Sequence, residues 1–230
     1  MRIEKIGKAT LYLGDCTELL HEVGGFDSVV TDPPYGMDFH SNFRQIKHDK
    51  IENDDTGNAL KFACELGATH SKYIFCRWNN LVDVPGPRSV VTWVKNNWSM
   101  GDLEHEHARQ TEMILFYAGP NHSFPSQRPT DVVTTARTNN SLHPTEKPLQ
   151  LMRAVVKWTK GIVLDPFMGS GTTGVACAEI HRPFVGVEIN EKYFDIACKR
   201  IEEVSKQSSL FLDQETIKAE QAEFFGDESA

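Results

Sequence analysis

The chain has 230 residues, of which 40% are hydrophobic, and a formal net charge of −8 at pH 7. This length and apolar content suffice for one buried core, so we expect a single domain over residues 1–202, followed by an acidic helix or tail over residues 203–230. No apolar stretch approaches the length of a membrane span and the N-terminus lacks the pattern of a signal peptide, which favours a cytoplasmic protein and argues against a membrane partner.

Two apolar runs open the chain, over residues 11–16 and 26–31. In the first run, the Gly-Asp pair before an apolar stretch makes Asp15 typical of a helix N-cap. The second run is rich in β-branched residues and predicts a buried parallel strand. It leads into Thr31-Asp32-Pro33-Pro34-Tyr35-Gly36 at the carboxyl end of the strand, where open α/β sheets bind ligands.

This hexapeptide resembles the catalytic signature of the DNA amino-methyltransferases, which transfer a methyl group from S-adenosylmethionine to an exocyclic amino group of adenine or cytosine. The lone pair of that nitrogen is delocalised into the ring, and two acceptors on its N–H groups draw it toward tetrahedral geometry. The resemblance implies that Asp32 and the carbonyl of Pro33 are these acceptors. Pro34 helps to fix the turn, and Tyr35 stacks on a base flipped out of the duplex.

The resemblance also assigns roles on either side of the hexapeptide. Residues 11–16 resemble the family segment that meets the adenine of the cofactor, which makes Asp15 and Cys16 candidates for cofactor contacts, together with Asp32. Residues 37–58 lack apolar periodicity and directly follow the catalytic turn. We expect them to form a mobile catalytic loop that closes on DNA through Arg44 and Lys47.

The middle of the chain predicts three strands, over residues 72–76, 89–94 and 112–117. In the family the third belongs to the hairpin at the sheet edge, and residues 119–142 occupy the target-recognition position. Residues 72–160 hold eleven Lys or Arg against seven Asp or Glu, so this part can meet DNA although the whole chain is acidic. The candidates for DNA-backbone contacts here are Arg109, Arg128 and Arg137.

Residues 143–148 read His-Pro-Thr-Glu-Lys-Pro and precede a predicted helix over residues 149–157. Thr145 as a capping residue, with Pro148 in the first turn, is typical of a well-capped helix start. The segment also resembles the family stretch that closes over the methionine end of the cofactor. This resemblance implies cofactor contacts from Thr145 and Lys147.

A second strand-to-loop motif follows in the last third of the chain. Residues 161–164 predict a strand that enters Asp165-Pro166-Phe167-Met168-Gly169-Ser170-Gly171-Thr172-Thr173, with a helix over residues 172–180 and a strand over residues 183–188 after it. Glycines let the backbone approach a ligand, a helix N-terminus offers N–H groups, and an acid after the second strand can bind ribose hydroxyls. The motif resembles the cofactor loop of the same family, which implies S-adenosylmethionine contacts from Asp165, Phe167, Gly169, Ser170, Gly171, Thr172, Thr173, Glu188 and Ile189.

Other classes of protein fit these residues less well. A nicotinamide-binding Rossmann domain shares the order of strand, loop, helix and acid, but its six-residue glycine fingerprint is missing. A cytosine-C5 methyltransferase needs a nucleophilic Cys, usually after Pro, and none of the five cysteines follows one. Cysteine spacing also argues against a disulfide framework and a zinc cluster, and we assign no metal to residues 104–107. A non-catalytic nucleic-acid-binding relative would be expected to lose Asp32 or the glycine loop.

The order of the motifs, catalytic turn first and cofactor loop last, resembles the circularly permuted β class of DNA amino-methyltransferases over about residues 10–202. It implies a Rossmann-like α/β fold with a mixed, mostly parallel sheet and helices on both faces. The partner it implies is double-stranded DNA, and a homodimer is expected from the family; the sequence leaves open whether a cognate restriction enzyme accompanies the protein. In the family, Asp at the first position of the signature goes more often with adenine N6, so adenine is favoured and cytosine N4 stays open.

Overall fold

The structure, a computed structural model, describes residues 1–34, 58–97, 104–105, 107–138 and 146–207. The strands in these ranges are β1 (Arg2–Ile6), β2 (Ala9–Leu13), β3 (Ser28–Thr31), β4 (Ser71–Cys76), β5 (Ser89–Lys95), β6 (Thr111–Ala118), β7 (Val132–Thr135), β8 (Val163–Asp165) and β9 (Phe184–Glu188). The helices are α1 (Cys16–Leu19), α2 (Asn58–Glu65), a 3-10 helix (Trp78–Asp83), α3 (Leu149–Lys157), α4 (Thr172–Glu179) and α5 over residues 191–207.

All of these described strands belong to one nine-stranded sheet, in the order β1-β2-β9-β8-β3-β4-β6-β5-β7. From β2 to β4 each neighbour is parallel to the next. Strand β6 is antiparallel to β4 and β5, β7 is parallel to β5, and β1 is antiparallel to β2. Among the described strands, β1 and β6 alone oppose the common direction.

Helices cover both faces of this sheet. Successive strand residues point to opposite faces, and in β3 all four residues are buried. Val30 packs in the core that contains residues of α3, α4 and α5, whereas Val29 packs with Cys16 of α1 and with Leu66. Strand β4 is divided in the same way, because its Ile74 joins the cluster of α2. The predicted fold class is therefore confirmed.

The common strand direction brings functional segments to one edge of the sheet. Strands β2, β9, β8 and β3 are neighbours, and their carboxyl ends lead into Asp15, Glu188, Asp165 and Asp32. Because β6 is antiparallel to its neighbours, its amino end lies at this same edge, as does the carboxyl end of β5. We call this end of the strands, where Asp15, Asp32, Asp165 and Glu188 lie, the site edge.

Two expectations about local structure were wrong, and the target-recognition role of residues 119–142 stays a prediction. Strand β6 lies between β4 and β5, and β7 is the outermost strand on that side of the sheet. The reason is that the four-residue run Val132–Thr135, inside the segment that was expected to be irregular, pairs with β5. Helix α3 has Pro148 at its N-cap without a side-chain cap, so Pro148 is not in the first turn. The first half of the segment over residues 119–142 packs at the edge opposite the site edge, where the Asn121 N–H donates to the Thr69 carbonyl at 2.9 Å.

Candidate functional site

The turn at Asp32 and the glycine loop share one pocket, which is open to solvent. Asp32 contributes to its lining, as does the loop that follows β8. The residues that line the pocket are Asp32, Glu146, Lys147, Met152, Asp165, Phe167, Met168, Gly169, Ser170, Thr172 and Thr173. Most of the predicted cofactor-binding residues thus meet in one cavity.

The glycine loop needs its glycines for conformation and for space. Gly169 and Gly171 have positive φ angles of 54° and 80°, a region that disfavours other residues. A Cβ atom on Gly171 would lie 2.7 Å from the Cβ of Ala197 in α5. Gly171 is also the N-cap of α4, and it has no side chain that could accept a hydrogen bond. The first N–H groups of α4 therefore have no side-chain acceptor at the N-cap position.

Asp165 is the buried centre of this loop. Its carboxylate accepts hydrogen bonds from Thr31 Oγ1 at 2.7 Å, Thr173 Oγ1 at 2.6 Å and the Phe167 N–H at 3.2 Å. Burial raises the pKa of the Asp165 carboxyl to about 6, although these three donors act to lower it. Because Thr31 immediately precedes Asp32, this hydrogen-bond network also joins the glycine loop to the catalytic turn.

Glu188 braces the same loop from β9. Its Oε2 accepts the Gly169 N–H at 2.8 Å, and its Oε1 accepts the Asn190 N–H at 2.8 Å. The carbonyl of Glu188 accepts the Gly14 N–H at 2.9 Å, which links it to the segment after β2. Glu188 therefore stands beside the glycine loop in a buried position.

Asp15, Cys16 and Ile189 lie near this edge but do not line the pocket. Asp15 caps α1, since its Oδ1 accepts from the Thr17 N–H at 2.8 Å and from Thr17 Oγ1 at 2.7 Å. The N-cap interpretation of Asp15 is thus confirmed. Burial, with the charge of Asp15, raises the pKa of the Cys16 thiol to about 12, and Ile189 is partly exposed.

Asp32 itself is held by a lysine. The Nζ of Lys147 lies 2.6 Å from Asp32 Oδ2 and 2.8 Å from Glu112 Oε1. Glu112 in turn accepts from Lys95 Nζ at 2.9 Å. Lys147 was predicted to contact the cofactor, which stays a prediction; in the structure its ammonium contacts the carboxylate of Asp32. Glu112 and Lys95 were missed, although a glutamate in the otherwise apolar strand β6 is a visible signal.

A second residue that sequence reasoning missed is Arg200 of α5. Its Nη1 donates to the Ser170 carbonyl at 2.7 Å and to Ser170 Oγ at 3.0 Å, while its Nη2 lies 3.2 Å from Glu146 Oε1. Arg200 thereby joins the glycine loop to the segment that carries Lys147. No local motif around residue 200 indicates this contact.

The candidates for DNA contacts separate by position. Arg109 precedes β6 and Arg137 follows β7, so both lie at the site edge. Arg128 lies before β7, in the connection at the opposite edge. Arg109 and Arg128 are exposed, and the Nε of Arg137 is buried with no hydrogen-bond partner among the described residues. The candidates that lie outside the described residues are Tyr35, Arg44, Lys47 and Thr145.

Comparison with known proteins identifies the family. A family profile described as DNA methylase matches residues 123–199. The Type II methyltransferase M.ScaI of Streptomyces caespitosus is 35% identical, over 87% of this chain and 83% of that protein. The chain belongs to the β-class DNA amino-methyltransferases.

Solved structures agree with the fold of this methyltransferase. The crystal structure of the M1.HpyAVI–SAM complex superposes with a TM-score of 0.64 at 24% identity, over 84% of this chain and 98% of that one. PvuII DNA methyltransferase, described as cytosine-N4-specific, gives a TM-score of 0.62 at 16% identity, over 92% of this chain and 97% of that one. Both comparisons support the Rossmann-like fold.

The methyltransferase uses S-adenosylmethionine as its cofactor, and the pocket suits a ligand of this kind. Thr172 and Thr173 at the start of α4 line it, and the first N–H groups of a helix, which have no partner within the helix, can bind a carboxylate. In the described ranges, no helix has the length and apolar character to cross a membrane, and no group of three or more His, Cys, Asp or Glu could hold a metal ion.

Proposed function

We propose that this methyltransferase methylates the exocyclic amino group of a base flipped out of double-stranded DNA, with adenine N6 as the favoured target. The observation that carries the proposal is the shared pocket, which is lined both by Asp32 and by residues of the glycine loop. A target amino group bound at Asp32 would lie beside a cofactor bound at the loop. Such proximity supplies much of the rate in reactions that need no covalent intermediate.

In this mechanism Asp32 and Pro33 activate the nucleophile. The Asp32 carboxylate accepts one N–H of the amino group and the Pro33 carbonyl accepts the other, so that the nitrogen lone pair is released from the ring. A carboxylate has about four acceptor positions, so Asp32 can accept from Lys147 and from substrate. When the nitrogen gains the methyl group it loses one proton, which the Asp32 carboxylate can take up and pass to solvent.

The cofactor supplies an electrophilic methyl group on a sulfonium centre when it is bound. We assign its binding to the glycine loop, with the N–H groups at the start of α4 for its carboxylate. Glu188, which already orders Gly169, is the residue proposed for the ribose hydroxyls. Asp15 and Cys16 are proposed near the adenine, and Tyr35 is proposed to stack on the flipped base.

Arg109 and Arg137 are the proposed contacts to the DNA backbone, because they lie at the same edge as Asp32. Phosphate contacts position a protein on the duplex without reading its sequence. A homodimer and a cognate restriction enzyme rest on the family resemblance alone and stay predictions.

The test is product analysis with an active-site control. Purified protein is incubated with labelled S-adenosylmethionine and mixed-sequence duplex DNA. The DNA is then digested to nucleosides, and the methylated nucleoside is identified by mass spectrometry. We expect N6-methyladenine from the wild type and a loss of at least about 100-fold in kcat for Asp32→Asn, since Asn offers only a weaker, uncharged acceptor. N4-methylcytosine would keep the mechanism and change the target, whereas an Asp32→Asn variant of undiminished rate would refute the role of Asp32.

A further inference from the structure

Four charged side chains form a continuous row at the site edge. In spatial order they are Lys95, Glu112, Lys147 and Asp32, joined by contacts of 2.9, 2.8 and 2.6 Å. They come from β5, β6, the segment before α3, and the turn after β3. The charges alternate in sign, so each neighbouring pair attracts.

This row is half-buried around the buried Lys147, unlike the ion pairs on the surface of the protein. The four side chains are 13%, 14%, 9% and 15% exposed, whereas the Arg2–Glu4 pair is 41% and 42% exposed. Buried charges keep their ionised form only when partners replace the lost water. Burial would raise the pKa of Glu112, but Lys147 and Lys95 hold it at about 2, so this carboxylate stays charged.

Glu112 lies on a strand of the sheet and forms an ion pair with the more flexible side chain of Lys147. Glu112 pairs with Trp93 of β5, and the next residue of β6, Met113, pairs with Cys76 of β4, so the backbone at Glu112 is anchored in the sheet. Lys147, by contrast, reaches the site on a flexible four-carbon chain. Its ammonium rests 4.9 Å from the centre of the Phe75 ring. The bond to Glu112 Oε1 sets where the other N–H groups of this ammonium can point.

Glu112 also limits how strongly Lys147 withdraws charge from Asp32. An ammonium paired with Asp32 alone would neutralise much of the negative charge that makes the Asp32 carboxylate a good hydrogen-bond acceptor. Because Glu112 shares the same ammonium, Asp32 retains acceptor strength while its side chain is still oriented. The neighbouring cation, Lys95, keeps the row neutral as a whole.

We propose that Glu112 is a positioning residue for methyl transfer, which acts through Lys147 to orient Asp32 and to preserve its strength as a hydrogen-bond acceptor. This inference rests on the proposed role of Asp32. It predicts a graded series along the row, in which loss of Glu112 impairs catalysis more than loss of the outer residue Lys95.

The experiment compares Glu112→Gln, Glu112→Asp and Lys95→Gln with the wild type. The matched control is Glu179→Gln, which removes the charge from a surface pair with Arg153. For each variant we would measure kcat, both KM values, S-adenosylmethionine affinity, melting temperature, and acetylation of Lys147 by acetic anhydride. Acetylation reports the anchoring of Lys147 without any need for turnover.

We expect Glu112→Gln to lower kcat by about 10- to 100-fold, as misplacement of reacting groups does, while both KM values change little. Lys147 should be acetylated faster in this variant. Glu112→Asp should recover part of the loss because it restores the charge, Lys95→Gln should lose less, and Glu179→Gln should match the wild type.

Two results would overturn the inference. One is a Glu112→Gln variant with wild-type kcat and unchanged Lys147 acetylation. The other is a parallel loss of kcat, cofactor affinity and melting temperature in both Glu112 variants, which would indicate a structural role only. If Asp32→Asn is inactive in the same assay while Glu112→Gln is fully active, only this inference fails; an active Asp32→Asn variant would refute the proposed function itself.

Discussion

Replacing Asp165 by Asn should make the stability of the protein respond differently to pH. The carboxylate of Asp165 is 3% exposed and accepts hydrogen bonds from Thr31 and Thr173. Asn has nearly the same shape, and the threonine hydroxyls can rotate to accept from its amide. The substitution therefore removes a titrating group from the loop while it keeps most of the packing.

The size and sign of the effect follow from the pKa of Asp165. Burial raises it from its ordinary value of 3.8 to about 6. Below 3.8 the carboxyl is protonated in the folded and unfolded states, so titration has no effect on the free energy of unfolding. Between 3.8 and about 6 the unfolded chain releases its proton while the folded protein retains it, so stability falls as pH rises. At about 1.4 kcal/mol for each pH unit, the loss totals about 3 kcal/mol and is complete above the folded pKa.

The assay is urea denaturation of the wild type and Asp165→Asn at a series of pH values from about 4 to about 7.5. The difference in unfolding free energy should move by about 3 kcal/mol in favour of the variant over this range. Thr159→Val, which removes a buried hydroxyl bonded to the Val156 carbonyl, is the control and should show a constant difference. A constant difference for Asp165→Asn as well would show that burial does not raise this pKa, and our account of the loop would be wrong.

Two further substitutions test the loop and the DNA-facing edge. Gly171→Ala should destabilise the protein by about 2 kcal/mol and weaken cofactor binding, because it places a side chain at positive φ against Ala197. Thermal melting measures the loss of stability, and calorimetry measures the affinity for the cofactor. The control is Gly24→Ala, which should be neutral because the space around Gly24 is open. Arg137→Ala should weaken DNA binding and reduce the salt dependence of log K by about one. Arg128→Ala, at the opposite edge, should leave both unchanged, and equal effects of the two would refute the assignment of the site edge.

Much of the fold could be predicted because its signals are local. Buried parallel strands consist of apolar, β-branched runs, and Gly or Pro marks their ends. The strand before Asp32 and the strand before Asp165 were found in this way, and both motifs lie at the predicted carboxyl ends. The helix over Leu149–Lys157 was also predicted with its observed bounds.

The missed features depend on contacts between distant parts of the chain. Glu112 and Lys147 are far apart in sequence, and a strand that contains one acid does not indicate which cation it will meet. Arg200 likewise contacts Ser170 from a helix whose pattern resembles an ordinary amphipathic surface. Strand β7 was missed because its short run becomes regular only by pairing with β5. Partner choice in these cases is set by the tertiary structure.

The position of the last two strands has a consequence for how this protein is made. Strands β2 and β3 come early in the chain, but β8 and β9 insert between them in the sheet. Until β8 (Val163–Asp165) has left the ribosome, β3 therefore lacks its neighbour on that side, and an unpaired apolar strand edge is prone to aggregation. Synthesis proceeds at about 5–20 residues per second, so this edge waits several seconds for closure. The polypeptide thus closes the gap between β2 and β3, beside which the pocket lies, only after β9 has been synthesised.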